Sequence, residues 1–137
     1  MKFYICPKFS KKKFYYSCYS SFLFVLLGLY FIISKKAGKI VQYGLILMGL
    51  ISTVHHCRSF TDDYQDIFRY IDVICANLLA LIVFFDHPTK TTFFLGCFVL
   101  LLYLYIQNIC KSPVYKSVLH ALFHTIMCLI IFMLYST

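Results

Sequence analysis

Residues 22–33 read FLFVLLGLYFII, a segment that is apolar on every side of any helix it forms. It has no polar face to turn to water, and further runs of the same kind follow. Apolar stretches cover residues 16–34, 40–57, 67–85, 92–110 and 118–135, each close to the roughly 20 residues that span a bilayer as a helix. Membrane β-strands would need segments of about 10 residues alternating polar and apolar side chains, and these runs do not alternate. A helix satisfies its own backbone N–H and C=O groups in hydrocarbon. The expected fold is therefore all-α, a polytopic transmembrane helical bundle of about five spans. It occupies residues 16–137, behind a basic, aromatic leader at residues 1–15. The 137 residues leave no room for seven ordinary spans.

Composition agrees. Hydrophobic residues make up 61% of the chain and charged residues 13%, against about 25% charged in a soluble domain. The connections at 35–39, 58–66, 86–91 and 111–117 are short, so successive helices run antiparallel. Basic residues set the orientation. Lys2, Lys8, Lys11, Lys12, Lys13, Arg58, Arg69, Lys111 and Lys116 fall on one side, and Lys35, Lys36, Lys39 and Lys90 on the other. This places the amino terminus in the cytoplasm. The net charge of +8 lies largely in the leader, where Lys interleaved with Phe and Tyr suits anionic headgroups. Nucleic acid is not expected as a partner. The leader lacks the pattern of a cleaved signal peptide, so the first helix is expected to remain as an anchor.

The seven cysteines are scattered, with no C-x-x-C pair, and no disulfide framework is expected. Cys75, Cys97 and Cys128 read as small packing residues within spans, while Cys6 and Cys18 are placed where palmitoylation occurs.

Polar side chains inside spans are costly and need a reason. The second span ends GLISTVHHC, placing Gly49, Ser52 and His56 on one helical stripe; His55 points about 100° away. The plain reading is a pair of histidines solvated at the membrane boundary. Asp72 lies inside the third span, with Ala76 and Ala80 on its stripe to permit close helix approach. Its plain partner is Arg69, three residues earlier. His120 and His124 stand one turn apart on the fifth span, with Cβ atoms about 5–6 Å apart. Such a pair recurs by accident as well as in metal sites. Gln107 and Asn108 suit hydrogen bonds between helices.

Antiparallel connectivity brings the end of the second span and the starts of the third and fifth to the same membrane face. His56, His120 and His124 can then offer three neutral imidazoles to Zn²⁺, leaving a fourth position for water, the pattern of catalytic zinc. Asp72 would bond to that water, and Ser52 would act from behind the ligands. A metal lowers the pKa of such a water to about 7.

Ser52-x-x-x-His56, Asp72 in the next span and His120-x-x-x-His124 near the start of the last resemble the CREST superfamily of membrane metal-dependent hydrolases. The stretches STVHHC, RYIDVICANLLAL and LHALFHTIMCLIIF carry the likeness, chiefly over residues 49–85 and 117–133. The superfamily includes alkaline ceramidases, progestin and adiponectin receptors, lipid-remodelling proteins and relatives of the fusion protein myomaker. The resemblance implies zinc bound by His56, His120 and His124, with Asp72 contacting the metal-bound water and Ser52 beside them. It implies hydrolysis of lipid amides or esters, or else a receptor-like, fusion-related or structural role without catalysis. The family core has seven helices and this chain has room for five, so the metal would lie nearer to lipid and a homo-oligomer would complete the enclosure. Haem ligation by His56 and one fifth-span histidine, and a small structural or pore-forming protein, are the remaining alternatives.

Overall fold

A computed structural model describes residues 16–58, 67–108 and 112–136, apart from the side chains of Arg58, Phe68, Arg69 and Pro113. The leader at 1–15, with Cys6, lies outside the described residues, as do Cys110 and the Arg69 side chain proposed as a partner for Asp72. The described residues form five helices and no strand: α1 (Tyr16–Ser34), α2 (Lys39–Arg58), α3 (Ile67–Asp86), α4 (Lys90–Asn108) and α5 (Pro113–Ser136). Of these, α1, α2, α4 and α5 are long and apolar enough to cross a membrane, consistent with an integral membrane protein. The 20-residue α3 carries Arg69 and Asp72 in its first two turns.

Local chemistry sets the helix ends. Lys35 takes a left-handed conformation (φ 56°) and donates its N–H to the Phe31 carbonyl at 2.9 Å, a helix C-cap. The Gln42 amide then donates to the carbonyls of Phe31 (3.1 Å) and Ala37 (2.7 Å), folding α2 back along α1. Thr89 caps α4 by accepting from Thr92 N–H at 3.1 Å, so that helix starts slightly before the expected 92. α5 starts well before the expected 118, because Pro113 is pre-set for a first helical turn and lacks the N–H that would go unbonded there.

Two glycines bring α1 and α2 together. A Cβ on Gly28 would stand 2.7 Å from Ile46 Cγ1 and 2.8 Å from Gln42 O, and one on Gly49 would stand 2.8 Å from Val25 N. At each contact one helix has only a glycine hydrogen, which lets the other's backbone come close, as small residues allow in membrane packing. α1 lies between α2 and α5; α3 packs on α2 and α4 on α5, while α3 and α4 touch only lightly. The core gathers Phe24, Leu27 and Phe31 of α1, Val41, Leu45 and Met48 of α2, Leu79 and Val83 of α3, and Ile131 of α5.

Three expectations are corrected. Ala76 and Ala80 are exposed; the inward stripe of α3 is Cys75, Leu79 and Val83, whose larger side chains fill the space against α2. Asn108 bonds to the Leu104 carbonyl of its own helix rather than across to another. Cys18 and Cys57 are joined by a disulfide with Cα atoms 5.7 Å apart, because the antiparallel crossing sets the start of α1 level with the end of α2. Cys75 and Cys128 do pack against the core, whereas Cys97 is exposed.

Contacts at both ends fix the helix directions. The starts of α1 and α5 meet where the Ser17 hydroxyl donates to the Ser117 carbonyl at 3.4 Å. At the other end, the Tyr135 hydroxyl donates to Asp86 Oδ2 at 2.6 Å and the Lys36 ammonium to the Ser136 carbonyl at 2.9 Å.

Candidate metal centre

His56 comes from the last turns of α2, His120 and His124 from the first half of α5, and α1 stands between those helices. One nitrogen from each ring lies within 4.8 Å of the others. The ring centroids are 4.8 Å apart for His56 and His120, 5.5 Å for His56 and His124, and 4.5 Å for His120 and His124. Tetrahedral zinc, with Zn–N bonds of 2.0–2.1 Å, sets its nitrogens about 3.3 Å apart. Small side-chain rotations close that difference, so the donor set and its spacing suit a metal ion.

The surroundings are dry and aromatic. His124 is buried at 5% exposure, with Phe24 edge-on at a centroid distance of 5.5 Å. Phe123 flanks His120 at 5.9 Å and itself leans on Tyr103 of α4. His55 is tilted against His56 at 4.9 Å and stands outside the three-ring cluster.

Ser52 is buried at 2% exposure. Its hydroxyl lies 3.0 Å from the Ser21 hydroxyl, and the half-buried Asp72 carboxyl is its other neighbour. Asp72 thus joins the cluster through Ser52, and the residues singled out on α2, α3 and α5 meet at one end of the bundle.

Sequence reasoning missed the contribution of α1. Ser20 Oγ lies 2.9 Å from His124 Nδ1 and Ser21 Oγ 3.4 Å from it. Both hydroxyls also bond to the Ser17 carbonyl, at 3.1 and 2.7 Å. The signal was present: Ser17, Ser20 and Ser21 recur at i, i+3 and i+4 in YSCYSS, a polar stripe on an otherwise apolar helix. Ser20 and Ser21 engage Nδ1 of His124, which leaves Nε2 as its natural donor to a metal.

The chain has no significant match among protein families, curated proteins or solved structures.

Proposed function

We propose that this protein is an intramembrane zinc hydrolase of lipid amides or esters, similar in plan to the CREST superfamily. The observation that carries the reading is the convergence of His56, His120 and His124, whose donor nitrogens lie within 4.8 Å of one another, with the Asp72 carboxyl close to Ser52 nearby. Three protein ligands, here three imidazoles, with a fourth position left for water make the pattern associated with catalytic zinc. Zinc held there would supply Lewis acidity and lower the pKa of water to about 7. The chain's own residues would do the rest. Asp72, oriented by Ser52, accepts and returns a proton as the carbonyl carbon is attacked. Phe24 and Phe123 exclude water from one side of the rings. The partners on this reading are bilayer lipids and a second copy of the chain.

The test compares ceramide and phospholipid turnover by wild type and His124→Ala in detergent or vesicles. Wild-type turnover that disappears in the variant supports catalysis; turnover equal in both removes it. Ser52→Ala should keep its metal and change the rate, because Ser52 touches Asp72 rather than the ion.

A second reading keeps the metal without the reaction, as in a receptor-like, fusion-related or structural protein. It is favoured by the light contact between α3 and α4, which leaves thin walls around any substrate. Haem is less well supported, since it uses two imidazoles and leaves the third without a role.

We also propose a cytoplasmic amino-terminal end, from the distribution of basic residues. The Cys18–Cys57 disulfide at that end points the other way, since disulfides persist in oxidising compartments. Labelling Cys57 with a membrane-impermeant maleimide, on intact and on permeabilised cells after mild reduction, distinguishes the two sides.

A further inference from the structure

The hydroxyls on α1 bear on a question the metal reading leaves open: which ring nitrogen of His124 carries the proton. Ser20 Oγ lies 3.1 Å from the Ser17 carbonyl oxygen. A carbonyl can only accept, so it offers the single Ser20 proton a partner, in the back-bonding that serines make within helices. Its oxygen lone pairs are what remain to face His124 Nδ1 at 2.9 Å. With its proton turned to the carbonyl, the hydroxyl can only accept from that nitrogen, the arrangement in which Nδ1 carries the hydrogen and Nε2 is left for a metal.

Ser21 does not offer the same constancy. Its oxygen is near the Ser17 carbonyl (2.7 Å), Ser52 Oγ (3.0 Å) and His124 Nδ1 (3.4 Å). Its proton can turn to Ser52 or to the Ser17 carbonyl, according to which way the Ser52 hydroxyl points. Ser20 has no contact with Ser52 or Asp72 among its bonds and meets that chain only at the Ser17 carbonyl and the His124 nitrogen it shares with Ser21.

We propose that Ser20 is a positioning residue that holds His124 as the Nδ1–H tautomer, turning the Nε2 lone pair toward His56 and His120. The consequence for metal affinity rests on the zinc reading above, whereas the tautomer is a property of the metal-free chain. The two are therefore tested separately.

The full-length protein, purified in detergent without metal and carrying ¹⁵N-labelled histidine, is examined by NMR at the imidazole nitrogens. The His124 signals are assigned by their loss in His124→Gln. The expected spectrum has a protonated Nδ1 and an unprotonated Nε2 on His124. Ser20→Ala should allow the Nε2–H form, and Ser20→Thr, which keeps the hydroxyl, should restore the wild-type pattern. Zinc titration against a chromogenic chelator should then show Ser20→Ala binding about 10- to 100-fold more weakly, the usual loss when a partner behind a ligand histidine is removed. Thr125→Ala should be unchanged, since that hydroxyl bonds only to the Ala121 carbonyl of its own helix.

A wild-type His124 protonated at Nε2 overturns the proposal, and this holds even if Ser20→Ala fails to fold. So does a Ser20→Ala protein whose tautomer and zinc affinity match wild type. A wild type with the expected tautomer that binds no zinc refutes the metal reading while upholding the positioning role. Zinc binding with the opposite tautomer does the reverse.

Discussion

Both ends of the bundle collect imidazole, hydroxyls and an aspartate, one histidine at the far end and a cluster of them at the near end, but they use them differently. At the far end, Tyr135 donates to Asp86 at 2.6 Å, the His87 ring stands edge-on to Tyr135 at 4.5 Å, and Lys36 bonds to the Ser136 carbonyl. Donor meets acceptor there, one pair at a time, and Asp86 and Lys36 are exposed. At the near end, three imidazoles from α2 and α5 face one another, with serine hydroxyls behind them and Asp72 reached through Ser52. Pairing of opposites ties helix ends together. Convergence of like donors is the arrangement that can hold a cation, and only the near end has it among the described residues.

That contrast can be broken most directly by metal content. His124→Ala should take bound zinc from about one per chain to nearly none by elemental analysis, while His87→Ala should leave it unchanged. Equal loss in both variants would erase the distinction between the ends. Zinc should also stabilise the fold. At a free concentration 100 times Kd, a ligand bound only by the native state adds about 2.7 kcal/mol, so a strong chelator should lower the unfolding temperature of wild type and not of His124→Ala.

Gly49→Ala probes how the near end is held. Its Cβ would meet the Val25 backbone nitrogen at 2.8 Å, and forcing helices apart in a packed core costs about 1–3 kcal/mol. Denaturation in detergent should show that loss, together with weaker zinc binding as α1 is pushed from α2 and its serines shift. The smallest effect is expected at the far end. Tyr135→Phe removes one bond between helices, worth about 0.6 kcal/mol in a membrane protein, and should leave zinc binding unaltered.

Much of this was legible in the residues alone. The helix count follows from uninterrupted apolar runs, and antiparallel neighbours follow from short connections. His56, Asp72, His120 and His124 stand out because ionisable side chains in spans are costly. Other features were illegible for reasons of geometry. The Ser17, Ser20 and Ser21 stripe can be read from its spacing, but what it faces is hidden until α1 is seen wedged between α2 and α5. Ala76 and Ala80 looked like a contact face, but one turn of α3 offers both that stripe and the Leu79–Val83 stripe, and larger apolar groups fill the interface. Cys18 and Cys57 have no spacing signature, since their pairing depends on the level at which α1 crosses α2.

By itself, the order of residues determined that the chain would form apolar helices and which side chains would be out of place on them. A backbone in hydrocarbon has few other ways to satisfy its hydrogen bonds, and periodicity along one helix is a local property. Only the tertiary structure decided which helix lies next to which, and therefore that hydroxyls of α1 stand behind a ring on α5. Lipid is as apolar as leucine and does not select among helix faces by hydrophobicity. Helix neighbours are instead chosen by close fit at sites such as Gly28 and Gly49, whose partners lie elsewhere in the chain.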